Sequence, residues 1–86
     1  MEELDQFGYN IFHHSVSYNK FSGVVPLIEK FKVNVDTRSV SLQTPLMISA
    51  NYGYVKMAKY LLENGADINA KDDSDFSPFL YAIKNK

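Results

Sequence analysis

An all-α solenoid of stacked helix–turn–helix units is the fold class this sequence predicts, on three observations. The chain matches itself when shifted by 34 residues and again by 33. Each copy carries apolar residues at helical spacing. Each copy is also punctuated alike, with a capping residue before the first helix and, in the second copy, a glycine after the last. Two full units and the start of a third fit within the 86 residues.

The repeat is sought first because missing it misassigns the fold. Asn10-Ile11-Phe12-His13-His14-Ser15-Val16-Ser17-Tyr18 falls on Thr44-Pro45-Leu46-Met47-Ile48-Ser49-Ala50-Asn51-Tyr52. Leu27-Ile28-Glu29 falls on Leu61-Leu62-Glu63, and Asn34-Val35-Asp36 reaches Asp67-Ile68-Asn69 after a slip of one residue. Ser77-Pro78-Phe79-Leu80-Tyr81-Ala82-Ile83 matches once more. Helices are therefore expected near 10–18, 23–31, 45–52, 55–63 and 78–84.

In the second unit Thr44 can cap, and Pro45 at the first helical position loses no hydrogen bond by lacking an N–H. Leu46, Ile48, Ser49 and Ala50 make a small-residue helix that stops at Tyr52-Gly53. Val55, Met57, Ala58, Leu61 and Leu62 make the next, which Gly65 ends in a left-handed conformation. Asp67-Ile68-Asn69-Ala70 is expected to be extended, and Lys71-Asp72-Asp73-Ser74 to be a polar turn. Ser77 and Pro78 open the third unit as Thr44 and Pro45 open the second.

Thr44-Pro45-Leu46-Met47-Ile48-Ser49-Ala50, Gly53, Leu61-Leu62 and Asn64-Gly65-Ala66-Asp67-Ile68-Asn69-Ala70 closely resemble the ankyrin repeat, with its 33-residue period and Thr-Pro-Leu-His-x-Ala signature. The first unit is degenerate. Asn10-Ile11 stands where Thr-Pro is expected, while Asp5, Gly8 and His13 fall on family positions. The resemblance covers essentially the whole chain. It implies an ankyrin-repeat solenoid joined by finger loops, one domain over 1–86, with repeats at about 5–38 and 39–71 and a partial third at about 72–86.

Departures from the pattern carry expectations of their own. Leu42 and Asp75 occupy the turn position where the family prefers Gly, so the geometry of those two finger loops is not carried over. Pro26 falls inside the expected second helix, where an interior proline costs roughly 3 kcal/mol. A late start, capped by Ser22 or Gly23, would put Pro26 in the first turn, where few donors have partners to lose. Residues 19–22 would then make a longer turn. Phe31-Lys32-Val33 has one residue more than Gly65-Ala66, so that loop is expected to bulge.

Composition narrows the function. Nine Lys and Arg against ten Asp and Glu give a net charge of −1, with no basic excess to neutralise phosphates, so nucleic acid is not an expected partner. The charges stand singly, and the longest apolar runs are a few residues, so neither membrane adhesion nor insertion is expected. An apolar fraction of 45% with 22% charged residues indicates a folded chain rather than a disordered tail. The absence of cysteine removes disulfides, thiolate chemistry and Cys-type zinc sites, and it fits a reducing compartment. The acidic, polar first ten residues do not read as a signal peptide. A cytoplasmic or nuclear location is expected.

A search for chemistry yields little. His13 and His14 are adjacent, so on a helix they point about 100° apart and cannot chelate one metal as an i, i+4 pair would. His13 matches the family's structural histidine, which orders neighbouring loops. Ser15 beside it could suggest a nucleophile and base, yet its register with Ser49 and Ala82 marks a small residue for close packing. Asp67, Asn69, Asp72, Asp73 and Asp75 glance at a calcium loop, but Lys71, Asp72 and Pro78 stand where an oxygen ligand, Gly and Glu are required. No cofactor, metal or catalytic residue is expected, and the protein is not expected to be an enzyme.

What remains is a surface, and the resemblance implies which residues form it: the finger-loop tips and the concave face of each first helix. Position by position these are Gln6, Phe7, Tyr9, Ser17 and Tyr18; then Val40, Ser41, Gln43, Asn51 and Tyr52; then Asp73, Ser74, Phe76, Lys84 and Asn85. Five of the fifteen are aromatic, against 14% of the chain, and exposed aromatics make binding hot spots. Tyr18 and Tyr52 share a register and are expected to stack side by side. Phe7 and Phe76 could equally fold back over their own loops. The expected function is a protein-interaction module or scaffold. The alternative is a structural or regulatory segment of a larger parent, such as a kinase, channel or palmitoyltransferase, that contacts mainly its own chain. Lys86 falls within the first helix of the third unit, so a longer array is expected. The uncapped end, with Met57, Tyr60, Leu61, Leu80 and Ile83 facing water, is then expected to self-associate or fray.

Overall fold

The computed structural model describes residues 4–84. Its helices are α1 (Ile11–Ser17), α2 (Phe21–Glu29), α3 (Pro45–Tyr52), α4 (Val55–Glu63) and α5 (Pro78–Lys84), and no strand occurs among the described residues. α1 packs on α2 and α3 on α4, while α3 also packs on both α1 and α5. The front row is therefore α1, α3, α5, with α2 and α4 behind it. This is the all-α repeat architecture that the periodicity predicts.

Each front helix starts on a side-chain cap. Asn10 Oδ1 accepts from the His13 amide at 3.0 Å, Thr44 Oγ1 from the Met47 amide at 3.3 Å, and Ser77 Oγ from the Leu80 amide at 3.3 Å. Such a bond satisfies one of the four donors that a helix start leaves without partners. Asn10 thus does the work of the missing threonine. Gly53 ends α3 at φ +74°.

The expected late start of α2 is overturned. The helix is continuous from Phe21, so Pro26 is its sixth residue with more than a full turn before it. Two features offset the cost. Pro26 and Ser22 are both exposed, so the Ser22 carbonyl that lacks an N–H partner can bond to water. Phe21, on the first turn, packs edge-on against Tyr60 of α4, ring centroids 5.9 Å apart, a contact between the two back helices. The inter-helix turn is correspondingly short, with Asn19 at φ +57°. The loop after α2 does carry its extra residue. Val33 N–H reaches back to Leu27 O at 3.1 Å, whereas Ala66 N–H reaches Leu61 O at 3.0 Å, and Lys32 takes up the left-handed conformation that Gly65 adopts in unit two.

The segment 67–70 after α4 is a turn rather than the extended stretch expected. Ala70 N–H donates to Asp67 O at 3.3 Å, and Asn69 N–H to Asp67 Oδ1 at 2.9 Å. Asn34 organises the same turn in unit one, accepting from the Asp36 amide at Oδ1 (3.0 Å). Side-chain acceptors two residues upstream stabilise turns in competition with extended backbone.

The main core unites both units: Phe12, Val16, Val24, Ile28, Leu46, Ile48, Met57 and Leu61. A second cluster of Met47, Ala70 and Tyr81 joins unit two to α5. Met57 and Leu61 are therefore fully buried, contrary to the expected exposure, because their stripe on α4 faces back into unit one's core. Tyr60 is half-buried. Leu80 and Ile83 are exposed as expected, at 41% and 51%, and Phe79 of the same helix is exposed at 67%.

Candidate partner-binding surface

Three finger loops project from the front row, and all are built alike. Asp5 N–H donates to Tyr9 O, Ser39 N–H to Gln43 O and Asp72 N–H to Phe76 O, at 3.0, 3.0 and 2.9 Å. The first residue's side chain then accepts from the amides two and four residues on. Asp5 Oδ1 takes Phe7 and Tyr9 at 2.9 Å each, Ser39 Oγ takes Ser41 and Gln43 at 3.2 Å each, and Asp72 Oδ1 takes Ser74 and Phe76 at 2.8 and 2.9 Å. The fourth position is left-handed every time: Gly8 at φ +75°, Leu42 at +64° and Asp75 at +65°.

Leu42 thus adopts a geometry that Gly takes without strain, and Asp75 one that Asp tolerates better than most side chains. The capping bonds on both sides of the turn hold them there. Replacing Leu42 by Gly is expected to stabilise the chain by about 1 kcal/mol, read as a higher urea midpoint at unchanged slope; a lower midpoint would show that the exposed leucine side chain contributes packing. The reverse change at Gly8 has no such room, since a Cβ there would lie 2.8 Å from the Val40 backbone nitrogen.

His13 ties the first unit to the second. It is wholly buried, with Nδ1 accepting from the Asn10 amide at 3.1 Å and Nε2 donating to Gln43 O at 3.2 Å. Burial pushes its pKa down, outweighing the carbonyl partners that favour the charged form, so the neutral Nε2–H tautomer fits this geometry. His14 instead lies beside Asp5, Nε2 to Oδ2 at 2.9 Å. The two histidines point to different partners, and no group of three metal-ligating side chains exists among the described residues. Ser15 packs against Gly23 of α2, where a Cβ would lie 3.0 Å from its Oγ. That close helix approach is the role its register implies.

The residues implied as partner contacts divide by environment. Phe7, Tyr18 and Tyr52 are exposed at 59%, 69% and 58%, and Val40 stands beside them still more open. Gln6, Ser41, Asp73, Ser74 and Lys84 are also exposed. Tyr9, Ser17, Gln43, Asn51 and Phe76 are half-buried, and Asn85 lies outside the described residues. Phe76 folds back onto Tyr81, centroids 5.5 Å apart, with the Lys84 amino group over its ring, while Phe7 stays open. Tyr18 and Tyr52 do not stack on each other. Tyr18 lies against His14 and Tyr52 against Tyr54, each within its own unit. Tyr54 donates its hydroxyl to Ser17 O at 2.9 Å, which fixes that platform across the unit boundary.

Within the front row, Lys84 of α5 is the one Lys, Arg, Asp or Glu that the described helices carry. α1 and α3 contain no Asp, Glu, Lys or Arg, whereas Lys20, Lys30, Lys56 and Lys59 lie on or beside the back helices and are exposed. Sequence reasoning passed over one feature, a cleft of about 590 Å³ lined by Ile11, Leu27, Phe31, Val33 and Thr37, between the start of α1 and the loop after α2. Its signal was available: Ile11 stands where Pro45 and Pro78 are buried, yet it is exposed. No helix among the described residues is long and apolar enough to cross a membrane.

Stacked helix pairs with a row of similarly built finger loops define a helical-repeat fold. A family model of ankyrin repeats (three copies) matches residues 1–72, and the chain belongs to the ankyrin-repeat family. A putative ankyrin repeat protein of Rickettsia bellii (strain RML369-C) is 54% identical over 44 residues, covering 51% of this chain and 18% of that protein. Alpha-latrocrustotoxin-Lt1a of Latrodectus tredecimguttatus is 40% identical over 55 residues, covering 64% of this chain and 4% of the toxin. Ankyrin repeat domain-containing protein 53 of Homo sapiens is 29% identical over 85 residues, covering 94% of this chain and 16% of that protein. The chain thus spans less than a fifth of each. Ankyrin repeats generally mediate protein–protein interaction.

Proposed function

We propose that this chain is a protein-interaction module, without catalytic activity, that holds its partner against the finger loops and the front face of α1, α3 and α5. The observation that carries the reading is the uncharged face of α1 and α3, on which Tyr18 and Tyr52 are the most open rings. Aromatic side chains on a rigid frame supply much contact area for little ordering entropy, and they dominate interface energetics. Phe7, Val40 and the exposed polar fingertips extend the same surface. The partner is another protein, in a cytoplasmic or nuclear setting consistent with a cysteine-free chain.

Tyr18→Ala and Tyr52→Ala are each expected to weaken a partner recovered by pull-down by roughly 1–2 kcal/mol, with little change in thermal midpoint because both side chains are exposed. Unaltered affinity in both variants, or unfolding in either, would overturn the assignment. A second reading is favoured by the greater length of the relatives: the same surface would contact other parts of a parent chain. A pull-down with the isolated 86 residues separates the two, since intramolecular docking predicts capture of parent segments only.

Phe79, Leu80 and Ile83 make the end of the front row the adhesive part of the isolated chain. Self-association through that end is expected at millimolar concentration, seen as a rising sedimentation coefficient that Ile83→Lys abolishes. A monomer with a strongly protected Ile83 amide would exclude it.

A further inference from the structure

We infer that Gln43 is a positioning residue that locks the three finger loops into one surface, so that displacing one finger is felt at the others. The inference rests on the reading that the fingers bind the partner. Tyr9, Gln43 and Phe76 hold the same register in successive units, one residue before each front-helix cap. From this place Gln43 bonds in four directions. Its N–H donates to Ser39 Oγ at 3.2 Å, and its carbonyl accepts from His13 Nε2 at 3.2 Å. Oε1 accepts the Tyr9 hydroxyl at 2.6 Å. Nε2 donates to the Tyr81 hydroxyl at 3.0 Å. Both ends of the amide are engaged within the chain, so it supports the fingers more than it faces a partner.

The bonds beyond Gln43 complete the link. Tyr81 donates its hydroxyl to Asp72 Oδ2, and Asp72 is the residue whose other oxygen holds the Ser74 and Phe76 amides of the third finger. The chain of donors therefore runs in one sense, from Tyr9 through Gln43 and Tyr81 to a carboxylate. The amide orientation follows from this, because a hydroxyl that donates to a carboxylate has only acceptor sites left for Gln43. Bonds aligned in series polarise one another, most strongly when the last acceptor is charged. Burial opposes charge on Asp72, but the bonds from Tyr81, Phe76 and Ser74, with Lys84 nearby, hold its carboxyl below the ordinary range.

This chain crosses the bases of the fingers, while single backbone bonds join their tips: Val40 N–H to Phe7 O and Asp73 N–H to Ser41 O, both 3.0 Å. Two attachment points per neighbouring pair restrain a loop against rotation, where one would leave a hinge. Arg38 adds a further strap between the second and third fingers, its Nη1 donating to Leu42 O and Lys71 O at 2.8 and 2.7 Å.

Amide hydrogen exchange on the free chain tests the coupling without any partner, so its failure is distinct from failure of the binding reading. Tyr9→Phe removes one hydroxyl and leaves the ring stacked on His13. We expect the Asp73 and Phe76 amides of the remote third finger to exchange at least about twofold faster, with the Ile48 amide of α3 unchanged. Gln43→Met, similar in volume but without the amide, is expected to speed exchange at both Val40 and Asp73 by about fivefold, the scale of one ordinary hydrogen bond. Gln43→Glu keeps the acceptor for Tyr9 and loses the donor to Tyr81, so it should loosen Asp73 and spare Val40. Changes confined to the first finger in Tyr9→Phe would overturn the inference. So would equal acceleration of Ile48 and Asp73 in Gln43→Met, which would reduce Gln43 to a contributor to global stability.

Discussion

Leu61→Ala is expected to destabilise the chain by about 2–5 kcal/mol, the usual range for a fully buried leucine. Leu61 has no exposed surface and packs in the cluster with Phe12, Val24, Ile28 and Leu46, which spans both repeats. A cavity there loosens α4 and the contact between units together. Domains of this size have only about 5–15 kcal/mol in hand, so the thermal midpoint is expected to fall by about 10 °C or more. Leu62→Ala is the matched control. Leu62 is partly exposed on the outward side of α4, and its truncation should cost under about 1 kcal/mol. Circular-dichroism melts of the pair decide the matter. Equal losses would mean that α4 faces its neighbours through a different stripe.

Pro26→Ala is expected to act in the opposite direction, raising stability by about 2 kcal/mol. An interior proline disfavours a helix by roughly 3 kcal/mol relative to alanine, and its stiffening of the unfolded chain returns about 0.4–1 kcal/mol. Because Pro26 is exposed, alanine removes no buried contact. It supplies the N–H that the Ser22 carbonyl lacks at the centre of α2. The midpoint of urea unfolding should rise, and the new amide at position 26 should be protected from exchange. No gain, with an unprotected amide, would place the true start of α2 later and restore the first-turn position for the proline. The two substitutions differ in kind: one removes packing that the fold needs, the other removes a local conflict that packing overrides.

Much of this protein was determined by local chemistry and could be read without coordinates. The period, the capping residues Asn10, Thr44 and Ser77, and Gly53 and Gly65 all act over a few bonds. The sequence therefore set the helices α1, α3, α4 and α5 almost residue by residue. The exposure of Tyr18 and Tyr52, which share a register, was legible too, although their stacking on His14 and Tyr54 was not. The remainder was decided between elements distant in sequence. Phe21 packs on Tyr60 and carries α2 past its proline. Leu42 and Asp75 are the local exception, held left-handed despite their side chains by bonds four residues apart within each finger. Met57 and Leu61 turn toward a core to which unit one contributes half. Gln43 finds Tyr9 and Tyr81 at sequence separations of 34 and 38 residues. Propensity and capping are worth about 1 kcal/mol per residue, whereas burial of one large side chain is worth two or three times that. Where the two disagree, the tertiary contact prevails.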